Sequence, residues 1–201
     1  MLLLFLFGTN AESSLENFLN RCQSFAYKTN VKITGKKPKI FHGLFYWQKD
    51  LCKTVCALVY DEQVGHRSLM MREGKKTYHH VVYTDPRNKT TKTNISNSPL
   101  HAFFAPHVSL KADERFTKTL TKLENGHYVL EVRHFTDTKQ QKEHAKIYFR
   151  RNHEHWNFEK WVIIRCDGTT EITFIKEIKL TTDMQKNITS TGCSQRQPGI
   201  Q

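Results

Sequence analysis

Residues 116–135 carry the tightest constraint on the fold. Phe116–Leu123 and Tyr128–Phe135 both alternate, and Asn125-Gly126 lies between them. A two-residue hairpin turn needs φ > 0 at both central positions, which Asn and Gly tolerate best. The segment predicts a tight antiparallel hairpin.

The rest of the chain repeats the strand pattern. Ile40–Gln48 is apolar and aromatic. In Leu51–Tyr60, Leu51, Val55, Ala57 and Val59 share one parity, while Cys52, Thr54, Cys56, Leu58 and Tyr60 share the other. Arg67–Arg72, Lys76–Thr84, His101–Leu110, His144–Arg150 and Phe158–Arg165 read as further strands. Thr34-Gly35-Lys36-Lys37-Pro38 reads as a basic turn, and the polar stretch Arg87–Asn97 as a loop. Two segments have helical period. In Glu12–Tyr27, Leu15, Phe18, Leu19 and Cys22 recur on one face, with Ser13 or Ser14 as the cap. In Thr170–Leu180, Ile172, Ile175 and Ile178 fall three apart, which predicts a C-terminal helix and then an extended tail. The expected fold is mainly β. It is an antiparallel up-and-down barrel of about eight strands, with a short N-terminal helix and a C-terminal helix. A sandwich is the other architecture of this spacing, but the Cys…Trp…Cys core of immunoglobulin domains is missing.

The chain opens Met1-Leu2-Leu3-Leu4-Phe5-Leu6-Phe7-Gly8-Thr9-Asn10-Ala11. Its apolar run is too short to span a bilayer, which takes roughly 20 residues. It suits the core of a signal peptide cut after Ala11. Residues 1–11 are therefore expected to be a leader, 12–193 one domain and 194–201 a flexible tail. The expected location is extracellular. An oxidising compartment favours pairing among Cys22, Cys52, Cys56, Cys166 and Cys193, with one thiol left over. Three sequons, at Asn88, Asn94 and Asn187, become glycan acceptors if exposed. Two of them fall in the polar loop.

The net charge is +12. Most of the excess lies in the first half, and Lys32, Lys36, Lys37 and Lys39 form its densest cluster. Such a patch binds glycosaminoglycans or acidic proteins, or serves as a solvated face. Nucleic acid is disfavoured, since no reading motif accompanies the charge. No nucleophile elbow, phosphate loop or His-Glu-x-x-His motif occurs, so no catalytic residue and no cofactor is expected. His153-Glu154-His155 reads as a hairpin turn rather than a metal site, and Tyr78-His79-His80 gives no metal reading either. Cys52-x-x-x-Cys56 lacks the second ligand pair that zinc needs.

The order of these features resembles a lipocalin, most of all the divergent lipocalins of tick saliva. The resemblance rests on the leader, a short helix ending in Cys22, and a strand meander. Glu159-Lys160-Trp161-Val162, a helix and the terminal Cys193 complete it. Gly43-Leu44-Phe45-Tyr46-Trp47 is a loose echo of the lipocalin Gly-x-Trp signature. The resemblance implies bridges Cys22–Cys166 and either Cys52 or Cys56 with Cys193. It also implies a monomeric binding protein that sequesters a small host mediator, a biogenic amine or a lipid, and so modulates inflammation or haemostasis. A barrel of about eight strands encloses one small ligand. Strand parity nominates Tyr60, Tyr83, Phe104, Tyr128, Leu130, Phe149 and Trp161 as its lining. An amine also needs an inward carboxylate beside an aromatic ring. Glu131 is the one acidic residue in an apolar strand, but its parity matches Arg133 and points it to solvent.

Overall fold

The computed structural model describes residues 3–22, 24–36, 38–49, 55–61, 66–73, 76–83, 91–94, 107–134, 144–153 and 155–179. Within these, the side chains of 3–10, 41, 46, 48–49 and 55–94 lie outside the description. Among these residues one helix, α1 (Leu3–Arg21), precedes eleven strands. They are β1 (Ser24–Ile33), β2 (Lys39–Lys49), β3 (Val55–Asp61), β4 (His66–Glu73), β5 (Lys76–Tyr83) and β6 (Thr91–Asn94). After these come β7 (Phe116–Lys122), β8 (His127–His134), β9 (His144–Asn152), β10 (His155–Arg165) and β11 (Gly168–Glu177).

All eleven strands belong to one sheet, in the order β6-β5-β4-β3-β2-β1-β11-β10-β9-β8-β7. The chain winds outward from β1 to β6, then returns from β7 inward to β11, which pairs antiparallel with β1. Every neighbour is antiparallel, so short turns suffice nearly everywhere. The expected up-and-down β architecture with an N-terminal helix is present. Among the described residues the sheet counts eleven strands, with β6 and β7 at the two ends of the strand order.

The expected hairpin is β7–β8. Asn125 has φ 55 and ψ 35 and Gly126 has φ 75, the mirror-image turn that matches strand twist. The His127 N–H closes it by donating to the Glu124 carbonyl, and the Leu123 N–H donates to the His127 carbonyl at 2.8 Å. His153, with φ 53, turns β9 into β10, as the His153-Glu154-His155 reading expects. Elsewhere two turns are fitted to each other. A Cβ on Gly35 would lie 2.1 Å from the Asp167 carbonyl oxygen, and one on Gly168 2.0 Å from that of Thr34. Only glycine leaves room for the backbones to meet, and the Thr34 N–H then donates to Thr169 O at 2.8 Å.

Several expectations are corrected. The C-terminal helix is instead strand β11, where Ile172 and Phe174 point into the core with period two. The helical-looking Ile172, Ile175, Ile178 spacing arises because the register with β1 skips Ile175, leaving it 57% exposed. The segment is rich in Thr and Ile, which favour a pleated surface. The N-terminal helix ends at Arg21, and Ser24–Tyr27 begins β1. It runs back to Leu3, with Ala11 buried, which bears neither way on the expected leader. The polar loop contains β6, and His107–Leu110 is irregular rather than a strand. The bridge Cys22–Cys166 is not formed: Cys166 is an exposed free thiol. Cys22 precedes the start of β1, whereas Cys166 lies in the β10–β11 turn, whose Asp167 and Gly168 meet Gly35 and Thr34 beyond the far end of β1. Ten strand residues separate them, about 30 Å, against the roughly 7 Å that a disulfide spans. Cys52 and Cys193 lie outside the described residues, and Cys56 is described only as a backbone position of β3.

One face of the sheet, here called inner, holds the core. From β2 to β7 it presents a continuous apolar cluster that includes Phe45, Val31, Phe174, Ile163, Ile147, Leu130 and Phe116. Full burial of each such side chain stabilises by about 1.5–3 kcal/mol. In β10 the register shifts between Phe158 and Lys160, so Phe158 and Trp161 both face inward although their parities differ.

Candidate functional site between the helix and the inner face

From Ala11 onward α1 carries one apolar stripe, Ala11, Leu15 and Leu19, and the helix lies on the inner face by burying it. Leu15 and Leu19 are 0% and 5% exposed. Under the helix is an aromatic floor. Phe25 lies near its centre, with ring centroids 4.6 Å from Phe158, 5.1 Å from Trp47 and 5.7 Å from Phe45. Phe45 meets Trp161 edge-on at 5.0 Å, and Tyr128 meets Trp156 at 4.9 Å. Phe18 reaches down from α1 to Phe158 at 5.7 Å. All these spacings fall in the favourable range for ring pairs.

Few polar bonds fix the cover. The Trp156 indole N–H donates to Ser14 Oγ at 3.0 Å. The Asn20 side chain treats Val108 as a strand partner would: its Nδ2 donates to Val108 O at 2.8 Å, and its Oδ1 accepts from Val108 N at 2.8 Å. This ties the end of α1 to the segment 107–115, whose Val108 and Leu110 are buried in the same core. At its other end Asp113 anchors that segment. Its Oδ1 accepts the Phe116 and Arg115 amides at 2.8 and 2.9 Å, and its Oδ2 pairs with Lys118 Nζ at 2.8 Å. Burial works to raise the Asp113 carboxyl, but the bonds from Lys118 and the two amides outweigh it and hold the carboxyl below its ordinary value.

Two polar groups lie deep in this interior. The Thr29 hydroxyl, on a residue 1% exposed, has no hydrogen-bond partner among the described residues. The Tyr27 phenol is pushed up to about 12 by burial first, then by the charges of Glu177 and Cys22. The free space left is about 10 Å³, bounded by Leu19, Phe25, Trp47, Val108, Phe158 and Trp161 among others. That is about the volume a single water centre needs. A ligand pocket is roughly 300–1,000 Å³. Among the described residues, the space between α1, segment 107–110 and the aromatic floor has no room for a ligand as it stands, and one enters there by displacing α1 or that segment.

The structure brings four of the nominated lining residues together. Tyr128, Leu130, Phe149 and Trp161 share the inner face and are 8%, 0%, 0% and 2% exposed. Glu131 is on the outer face. It accepts Arg133 Nη2 at 2.6 Å, with Lys146 Nζ at 3.6 Å and His144 Nε2 at 4.0 Å. Tyr60 and Tyr83 are positions of β3 and β5 whose side chains lie outside the description, as does all of Phe104. Lys32, Lys36 and Lys39 are exposed, and Lys37 is outside the described residues. Asn94 ends β6, while Asn88 and Asn187 are outside. Among the described residues no three His, Cys, Asp or Glu side chains converge as metal ligands would.

Of the floor's rings, strand parity nominates only Tyr128 and Trp161 and misses Phe25, Phe45, Trp47, Trp156 and Phe158. Phe25 falls in the expected N-terminal helix and Phe174 in the expected C-terminal one, so strand parity nominates neither as lining. Phe158 was hidden by the β10 bulge, which breaks the alternation that parity arguments need. The Asn20–Val108 contact joins residues 88 apart and leaves no local signal.

No protein-family model matches the chain, and no curated protein matches it in sequence. Solved structures do share its shape. An outer membrane lipoprotein-sorting protein domain from Vibrio parahaemolyticus superposes with a TM-score of 0.50 at 10% identity, covering 89% of this chain and 96% of that one. A DUF1329 family protein from Desulfovibrio piger gives 0.48 at 12% identity, over 83% and 91% of the two chains. A LolA superfamily protein from Nitrosomonas europaea gives 0.42 at 6% identity, over 87% and 94%. The chain thus has the fold of the Vibrio lipoprotein-sorting domain, a mainly β, lipocalin-like open sheet with a helix on its inner face.

Proposed function

We propose that this protein is an exported binding protein, not an enzyme, that takes up an apolar, lipid-like ligand between α1 and the inner face. The observation that carries this reading is the aromatic floor covered by α1 and segment 107–110. The cover is fastened at Ser14 and Asn20. Such a cover exposes a large apolar surface once it lifts, and only an apolar occupant compensates that exposure. The Vibrio domain of the same fold is named for lipoprotein sorting, which is in keeping with an acyl-chain ligand. Export rests on the apolar run of residues 2–7, and secretion with N-terminal sequencing of the product tests it.

The narrower form, sequestration of a biogenic amine as in tick salivary lipocalins, has less support. It needs an inward carboxylate, and Glu131 is engaged with Arg133 and Lys146 on the outer face. Intrinsic fluorescence decides between the two, because all three tryptophans, Trp47, Trp156 and Trp161, lie on the inner face. Titration with a long-chain fatty acid is expected to change the emission saturably, and histamine to leave it unchanged. Ser14→Ala, which frees Trp156, is expected to make uptake several-fold tighter by loosening the closed form. A flat fatty-acid titration in both the parent and Ser14→Ala sinks the proposal.

A further inference from the structure

On the outer face around β1, Ala26 and Leu44 are buried, whereas from Lys28 toward the β1–β2 turn exposed cations are interleaved with exposed isoleucines. Alternation turns Lys28 and Lys32 outward, because Tyr27, Thr29 and Val31 are buried inward. Ile40 on β2 pairs directly with Lys32 and is 73% exposed. On the other side Ile175, skipped by the register next to Lys28, is 57% exposed. Lys36 extends the row into the β1–β2 turn. Glu171, opposite Lys32 on β11, is engaged by Lys160 at 3.8 Å. Among the described residues, no carboxylate ion-pairs with Lys28, Lys32 or Lys36. Charge without a counter-ion attracts an anionic surface. Large aliphatic side chains in the same patch add a term that only an apolar layer can satisfy.

From this juxtaposition we infer that the outer face of β2-β1-β11 docks on anionic lipid bilayers, its lysines against the headgroups and Ile40 and Ile175 in the interfacial layer. A soluble polyanion such as heparin offers the charge but nothing for the isoleucines. The patch is separate from the α1-covered interior, so it stands whether or not the interior holds a ligand.

The test is sedimentation of the full chain with phosphatidylcholine vesicles and with mixed phosphatidylcholine–phosphatidylglycerol vesicles. Binding is expected to the mixed vesicles alone and to weaken as salt shortens the screening length. Each of Lys28→Gln, Lys32→Gln and Lys36→Gln is expected to weaken partitioning about fivefold, the value of one lysine near an anionic membrane. Ile40→Ser with Ile175→Ser is expected to weaken it about tenfold at unchanged charge. All of these variants should keep the fatty-acid response of the tryptophans, which separates this inference from the interior reading. Failure of the parent chain to sediment with mixed vesicles overturns it. So does vesicle binding unaffected by the isoleucine changes together with equal retention on heparin, which marks a purely electrostatic polyanion surface.

Discussion

The inner and outer faces of β8–β10 are built on the same backbone and differ in almost everything else. Inward, Leu130, Ile147 and Phe149 are all 0% exposed and interlock with Trp156, Phe158 and α1. Outward, the neighbouring residues Glu131, Lys146 and Lys160 sit in a web of partial ion pairs, and Lys160 also lies 4.8 Å from the Tyr148 ring. The strand's period of two assigns consecutive residues to opposite environments. A close-packed interior resists any change of volume, whereas a wet surface re-solvates what is removed. The binding reading belongs to the inner face and the membrane reading to the outer one.

That contrast should appear first as a difference in magnitude. Phe149→Ala leaves a cavity under the helix and is expected to cost about 3–5 kcal/mol in denaturant unfolding. A loss of less than about 1 kcal/mol would mean that the inner face is loosely packed, as in an already open form. Next comes the fastening of the cover. Asn20→Ala strands the Val108 N–H and C=O and is expected to cost about 1–3 kcal/mol. It should also raise amide exchange at Val108 while β8–β10 stay protected. Uniform loss of protection would show that the cover and the sheet open as one unit.

Smaller effects fall at turns and on the outer face. Gly126→Ala forces a side chain into the left-handed region at φ 75 and should cost about 1–2 kcal/mol. Glu131→Gln removes an exposed charge network and should cost about 0.5 kcal/mol, less at high salt. An effect rivalling Phe149→Ala would erase the distinction between the faces. The smallest is a pH effect at Asp113. Its folded carboxyl lies below the ordinary value of 3.8, so its contribution is fully present above that value. It is lost as pH falls through the lower, folded value. The stability gap between the parent and Asp113→Asn should therefore be constant near neutrality and close only in strong acid. A gap that grew on acidification would reverse the assignment.

Much of the architecture is legible in single segments. Asn125-Gly126 states its own hairpin, and the alternation of Tyr128–His134 sorts Leu130 inward and Glu131 outward without knowledge of any partner. β11 shows where such reading stops. Ile172, Ile175 and Ile178 satisfy a helical template. Pairing with β1 and β10 makes the segment a strand, because there each backbone group finds a ladder and Phe174 finds Tyr27 and Trp161. Nor does sequence order reveal that β1 stands between Cys22 and Cys166 and keeps them apart.

Local periodicity and turn chemistry, read from the sequence, determined a mainly β, antiparallel, up-and-down chain with an N-terminal helix. They also determined which side of β8 and β9 is apolar and that the surface is strongly basic. Tertiary structure alone decided that the returning strands meet β1, that α1 fills the space over the aromatic floor, and that Asn20 grips Val108. It also decided that Ile40 and Ile175 stand exposed among lysines. The physical reason is range: strand parity and turn geometry are settled within a few residues. Strand order, bulge position and helix docking are settled by contacts between residues far apart in sequence, whose energies no local pattern contains.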